Sequence, residues 1–245
     1  MIGMVLAAGW GKRLQPDTDN LPKTLLPVDG DRTILDIALG NLRRAGMETV
    51  VVVTGYAAER IEERREALEQ RHEVKIETVF NPKAEEWNNC YSLWSAREHF
   101  ARGVLLVNGD TITPVSVFET LRDAEGHESE IVIAVDDVKT LGEEEMKVLL
   151  GDDGLLRGIN KAHDPAASAG EYIGLTVIET AAAEGLADAL ETTWRRDPGL
   201  YYEDGFQEFS DRGGRVGVAS VGGLDWVEVD DQADLDRARE VAWRC

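Results

Sequence analysis

The chain has 245 residues, 43% of them apolar and 7% aromatic, and its 26 Lys+Arg against 47 Asp+Glu leave a formal net charge of −21. With no clustered basic patch, that balance argues against nucleic acid or an anionic membrane surface as a partner, and no run reaches the ~18 apolar residues of a membrane span. Two cysteines, Cys90 and Cys245, form neither a disulfide framework nor a metal quartet and point to a reducing, cytoplasmic compartment.

The opening "MIGMVLAAGWG" has no basic residue ahead of its short apolar run, so it reads as a first strand and not as a signal peptide. "TILDIALGNLRRAG" has helical periodicity, "TVVVVTG" is a second strand, and "AERIEERREALEQRH" is an exposed helix laced with charge. "VKIETVF" (strand), "NCYSLWSAREHF" (helix) and "GVLLVNGD" (strand) complete a first half in which strands alternate with helices. That order predicts an α/β fold with parallel pairing and right-handed crossovers. Beyond Asp110 the rhythm changes. "SEIVIAVDDV", "MKVLLGDDGLLRGINKA" and "GEYIGLTVIE" read as successive, partly antiparallel strands, followed by two helices, a strand in "RVGVASVGGLDWVEVD" and a last helix, "DQADLDRAREVAW". With no linker between the halves, one domain over 1–245 is expected, divided into lobes at 1–112 and 113–245.

The stretch "LAAGWGKRLQPDTDNLPKTLLPV", Leu6 to Val28, concentrates Lys12, Arg13 and Lys23 around two glycines. It is neither a dinucleotide fingerprint, which needs glycine at Leu14, nor a P-loop, which needs glycine at Leu6 and Ser or Thr at Arg13. Gly9 and Gly11 let backbone N–H groups approach an anion, and cations follow at once. Farther on, Asp110 closes a parallel strand beside this loop. It is placed for Mg²⁺, or else starts the turn before a helix.

These residues resemble a known family. "LAAGWGKRLQP…LPKTLLPV" is similar to the signature G-x-G-[ST]-R … P-K-x-L-[LV]-P of the nucleotidyltransferases that make sugar nucleotides and related activated alcohols. The resemblance implies a Rossmann-like (GT-A-type), mostly parallel mixed sheet flanked by helices, with a partly antiparallel acceptor-binding lobe. It implies nucleotide contacts at Leu6, Ala7, Ala8, Gly9, Gly11 and Arg13, with Gly109 beside them, and it gives Lys23 the phosphate oxygens where charge builds up. Lys12 departs from the signature, and either adds an ammonium for the triphosphate or points to solvent. Asp110 matches the family's metal aspartate. The tail "DWVEVDDQADLDRA" resembles the family's closing acid motif, so Asp230 is expected to share the Mg²⁺, with Glu228 on the same face of an alternating strand as second ligand or orienting group. Asp231 is read as a helix cap.

"NPKAEEWNNCYSLW" resembles the choline-phosphate cytidylyltransferase branch, as do "EEEMKV", "NKAHDPAASAGEYIGL" and "YYEDGF", so the match runs from Met1 nearly to Trp243. In that branch Asn88 and Asn89 lie where the base is contacted, and helix capping is their alternative. The resemblance makes Lys147 a phosphate contact, leaves Lys161 open, and gives Glu203 and Asp204 to the acceptor or to a helix start. Tyr172 and Tyr202, with Trp87, Tyr91, Tyr201 and Trp226, are candidates for an aromatic cage around an ammonium group. The four histidines (His72, His99, His127, His163) show no ligand spacing and read as surface or loop residues.

The expected activity is Mg²⁺-dependent transfer of a nucleotidyl group, CMP from CTP, to a small phosphate or phosphonate acceptor, with a homodimer as the candidate assembly. The acceptor is a phosphocholine-like or aminoalkyl or hydroxyalkyl compound, or alternatively inositol phosphate or a sugar 1-phosphate. Two other readings compete. A silent nucleotide-sensing domain would not need both aspartates and the second cation, and a glycosyltransferase would carry D-x-D where this chain has "DTIT".

Overall fold

The computed structural model describes residues 1–124, 129–242 and 245; His127 and Trp243 lie outside them. A parallel core comes first. β1 (Ile2–Ala7) is followed by a small hairpin, β2 (Pro27–Asp29) and β3 (Arg32–Thr33), and by helix α1 (Ile34–Arg44). Thr33 and Asp36 form a capping box that starts α1. Next come β4 (Thr49–Thr54), α2 (Ala58–Glu62), α3 (Arg65–His72), β5 (Lys75–Phe80), α4 (Asn89–Ser95), β6 (Val104–Asn108), the short β7 (Thr111–Ile112) and α5 (Val115–Asp123). The single charged helix expected over 58–72 is two helices, α2 ending at Glu62 and α3 starting at Arg65.

The second half supplies β8 (Ile131–Asp136), the hairpin β9 (Lys147–Leu150) and β10 (Leu156–Asn160), and β11 (Gly170–Ile178). Helices α6 (Ala183–Arg196) and α7 (Tyr202–Asp211), β12 (Val216–Ser220), β13 (Val227–Glu228) and α8 (Gln232–Val241) complete it. One nine-stranded sheet runs β10-β9-β11-β6-β1-β4-β5, with β8 and β12 branching from β11. β1 pairs in parallel with β4 and β6, and β4 with β5, while β11 meets β6, β8 and β9 antiparallel. This is the Rossmann-like, mostly parallel mixed sheet flanked by helices. Among the described residues no helix is long and apolar enough to cross a membrane.

The run of four valines explains the layering. Val50 and Val52 pack with Leu35, Leu39 and Leu42 of α1, whereas Val51 and Val53 pack on the opposite face with Leu93 of α4 and Leu190 of α6. A strand covered on both faces is apolar at every position, because each fully buried valine or leucine stabilises the fold by about 1.5–3 kcal/mol. β1 and β6 therefore end side by side, and the loops that follow them meet. Gly109 makes the approach possible: its N–H donates to Leu6 O at 2.9 Å, and a Cβ there would stand 2.4 Å from that same oxygen. Gly109→Ala is accordingly expected to destabilise by about 1–3 kcal/mol and to lower the Tm by several degrees. An unchanged Tm in a thermal melt would mean that the strand ends part freely.

Candidate active site

At the carboxyl ends of β1 and β6 lies a cleft of about 280 Å³, bounded by the glycine loop, the loop after β6, the starts of α4 and α7, β11 and the segment around β13. The cationic loop is held from outside. Trp10 stacks on Tyr56 with ring centroids 4.7 Å apart, and Tyr56 donates its backbone N–H to Ala8 O and its hydroxyl to Asp19 O at 2.6 Å. Gly11 takes the left-handed conformation (φ 74°), and a Cβ there would lie 2.9 Å from Lys23 Cβ, so only glycine lets the two ends of the loop close on each other. Sequence reasoning missed Trp10 and Tyr56, which lie 46 positions apart.

Three segments distant in the chain meet on one ammonium. Lys23 Nζ lies 2.8 Å from Asp110 Oδ2 and 3.1 Å from Asp230 Oδ1, and Arg13 Nη2 lies 2.8 Å from Asp230 Oδ2. Burial disfavours the Lys23 charge, but the two carboxylates more than offset it and hold the ammonium above its ordinary value. Burial likewise works against the Asp230 charge, and Lys23 and Arg13 reverse it, keeping this carboxyl below the usual range. Solvent reaches Glu228, yet its carboxyl stands in a concave wall beside Asp110 and Asp230. Enclosure and the two neighbouring charges both push it up.

Asp110, Glu228 and Asp230 each offer one carboxylate oxygen, and these oxygens lie within 4.8 Å of one another. Asp110 Oδ1 is buried without a hydrogen-bond partner among the described residues. Three hard oxygen donors, one of them orphaned, fit a cation of the Mg²⁺ type. Glu228 and Asp230 do not share a continuous strand: β13 covers only Val227–Glu228, paired with β7, and Asp230 follows it in coil. Asp231 caps α8.

Leu6, Ala7, Ala8, Gly9 and Gly109 line the cleft with Arg13 and Lys23, and Gly11 shapes the loop behind them. Lys12 lies outside, its ammonium 4.7 Å from the centroid of the Trp10 ring. Asn88 and Asn89 also line the cleft, with the Asn88 amide and the Asn89 carbonyl oxygen engaged within the protein. Asn88 accepts from Asn89 N–H and donates to Gly199 O, and Asn89 accepts from Tyr202 N–H at 3.0 Å, which ties the start of α4 to α7. Lys147 is corrected outright. It is 1% exposed and does not face the cleft, and its ammonium donates to the carbonyls of Glu143 and Glu145, both at 3.0 Å. Lys161 lines the cleft in its place, 3.7 Å from Glu144.

Tyr202 is a core residue. Its hydroxyl donates to Asn108 Oδ1 at 2.8 Å and lies 3.0 Å from the hydroxyl of Tyr172, so it supports the cleft floor without lining it. Asp204 accepts from Tyr201 N–H and caps α7. Of the six aromatics considered for a cage, Tyr172 and Tyr201 line the cleft, whereas Trp87 and Tyr91 pack in a separate cluster with Trp94 and Trp194. Trp226 faces an adjoining depression of about 440 Å³ that shares Arg13, Glu144, Lys161, Glu171, Glu228 and Asp230 with the cleft. His72 is not a surface residue: its Nε2 lies 2.8 Å from buried Asp36. Asn108 and Glu171 line the cleft unforeseen; Asn108 directly precedes the Gly109–Asp110 pair, and that adjacency was the available signal.

Glu203, on the first turn of α7, is 5% exposed and lines the cleft. Burial first, then the charges of Glu228 and Asp204, push its carboxyl up to about 8. A carboxyl raised in the fold favours folding below its unfolded pKa of about 4.3, and that contribution is lost as pH rises through the folded value. Glu203→Gln is therefore expected to match the parent's stability near pH 4 and to exceed it by about 1–3 kcal/mol at pH 9. Thermal melts across that range check this, and parallel curves for the two proteins would count against it.

Comparison with known proteins agrees with this fold. A family model described as the MobA-like NTP transferase domain matches residues 3–197. The CMP-5'-(3-aminopropyl)phosphonate synthase of Streptomyces rubellomurinus is 33% identical over 96% of this chain and 38% of its own length. A choline-phosphate cytidylyltransferase of Streptococcus pneumoniae is 31% identical over 43% of each chain. The matches thus span less than half of either relative. Among solved structures, the inositol-1-phosphate CTP transferase from T. maritima superposes with a TM-score of 0.82 at 25% identity, over 99% of this chain and 94% of that one. With this fold, this loop and these relatives, the chain belongs to the nucleotidyltransferases that carry the MobA-like NTP transferase domain.

Proposed function

We propose that the protein is a Mg²⁺-dependent cytidylyltransferase that joins CMP from CTP to the phosphate or phosphonate of a small alcohol, releasing pyrophosphate. The observation that carries the reading is the convergence of Arg13, Lys23, Asp110 and Asp230 at one point of the cleft. CTP as donor is supported by relatives whose names specify CMP or CTP chemistry.

Two anionic reactants must meet in line at the α-phosphorus, so catalysis is mostly positioning and charge stabilisation. The backbone of Ala8 and Gly9 and the Arg13 guanidinium hold the triphosphate, presented by lobe 1–112. Lys23, with two carboxylates in reach, stays protonated and neutralises the oxygens that gain charge as the α–β bridge breaks. The acceptor oxygen attacks from the side of lobe 113–245, where Lys161 is the cation that lines the cleft among the described residues. Asp110 and Asp230, with Glu228, would hold the metal, which would supply Lewis-acid chemistry when bound. No covalent enzyme intermediate is invoked. Cys90 is fully buried, with its thiol pushed up to about 12 by that burial, and cannot serve as nucleophile. The low cysteine content, with no disulfide framework in the sequence, supports a cytoplasmic setting.

Pyrophosphate release with CTP, UTP, ATP and GTP against a panel of phosphorylated alcohols is expected to show turnover that needs Mg²⁺ and favours CTP. Tight CTP binding without turnover on any acceptor would replace this reading with nucleotide sensing. Asp110→Asn is expected to abolish turnover with little change in the metal-free melt. Lys23→Ala is expected to cost about 10²–10³ in kcat, the loss typical of removing one charge-stabilising donor. Without Lys23 the facing carboxylates repel, so the variant melts lower without metal and recovers more than the parent on adding Mg²⁺. Full activity in Lys23→Ala would remove Lys23 from the chemistry.

A further inference from the structure

Six acids and three cations line the cleft. Most of the acids are already compensated. Lys23 serves Asp110 and Asp230, Arg13 also serves Asp230, and Lys161 stands by Glu144. Glu171 holds Lys139 at 2.6 Å, and that ammonium also lies 5.0 Å from the centroid of the Trp226 ring. Glu228 belongs to the carboxylate triad. Glu203 is left over. Among the described residues no Lys, Arg or His pairs with it, and its Oε2 is buried with no hydrogen-bond partner. A buried carboxyl oxygen is ordinarily hydrogen-bonded, so an unpartnered one facing a cleft points to a donor that arrives with the ligand.

We propose that Glu203 is the specificity residue on the acceptor side, pairing with an ammonium group, so that the substrate class is an aminoalkyl or quaternary-ammonium phosphate or phosphonate and not a neutral polyol phosphate. The proposal rests on the nucleotidyl-transfer reading and narrows its acceptor. The three cations of the cleft are claimed by phosphate groups, the triphosphate and the phosphate of the acceptor, which leaves the acidic wall for the other end of the acceptor. A hydroxyl would donate to that oxygen and leave the carboxyl protonated, whereas an ammonium donates to it and favours its ionised form. Tyr172 and Tyr201 line the same cleft, and aromatic faces near a carboxylate suit alkylammonium groups. The position of Glu203 on the first turn of α7, the hydrogen bond from its own amide and the neighbouring Tyr202 hydroxyl offset burial only in part, since the carboxyl still lies above its ordinary range.

The test compares phosphocholine and 2-aminoethylphosphonate with 3,3-dimethylbutyl phosphate, the uncharged carbon isostere of phosphocholine, and with inositol 1-phosphate. Each is assayed with CTP and Mg²⁺ by pyrophosphate release. The parent is expected to favour the ammonium compounds by about tenfold or more in kcat/KM, a ratio that Glu203→Gln collapses mainly through KM and Glu203→Asp partly restores. An unchanged ratio in Glu203→Gln, or a parent that prefers the neutral compounds, overturns the proposal. Calorimetric titration of the same compounds separates the two readings if no acceptor turns over. Ammonium binding that weakens about tenfold in Glu203→Gln keeps the subsite while the transfer reading falls. Equal or absent binding in both proteins overturns the subsite itself.

Discussion

The site depends on one ammonium ion held between two carboxylates. Lys23 comes from a loop after the first strand, Asp110 from the loop after β6, and Asp230 from the segment ahead of the last helix. Two acids this close would repel, so the cation is a condition for the tail of the chain to dock against the first loop. Arg13 adds a second tie to the same tail. The arrangement is charged in the right sense for a nucleotidyltransferase, with a positive centre that suits phosphate and acids beside it.

Everything around that centre serves to bring strand ends together. The four-valine strand and its neighbours make a sheet that is apolar on both faces, which leaves the polar chemistry nowhere to go but the carboxyl edge. There the glycines do steric work: Gly109 admits the backbone of β1, and Gly11 admits Lys23. The Trp10–Tyr56 stack then braces the loop from outside, so the cations are presented on a supported turn and not on a loose one. Such support matters because charge stabilisation depends on groups that need not reorganise during the reaction.

The acidity of the chain has two components that composition cannot separate. Most of the acids are solvated or in exposed pairs, and such surface pairs contribute little to stability. A smaller group is enclosed in the cleft, where each carboxylate has to be answered by a cation, a metal or a ligand. The charge of the whole molecule says nothing about that second group, whereas the pairing of individual acids says a good deal.

The loop signature, the strand–helix alternation and the strand-end aspartate were legible in the sequence, because each depends on residues that are close in the chain or on a local period. Pairings between distant segments were not. Lys147 and Lys161 were equally plausible lysines on neighbouring strands until the register was known. Lys147 pairs with Asn160 across the β9–β10 hairpin and is buried, while Lys161, one residue further on, faces the cleft. Lys161 lies just past the end of β10, so where the strand stops decides between core and site. In the same way Asn88, Asn89 and Tyr202 carried the right side chains for ligand contact and are tied to distant segments around α4 and α7, while Asp204 caps its own helix. Sequence alone determined which chemistry the chain could perform; only the packing of distant segments decided which of the competent side chains were left free to perform it.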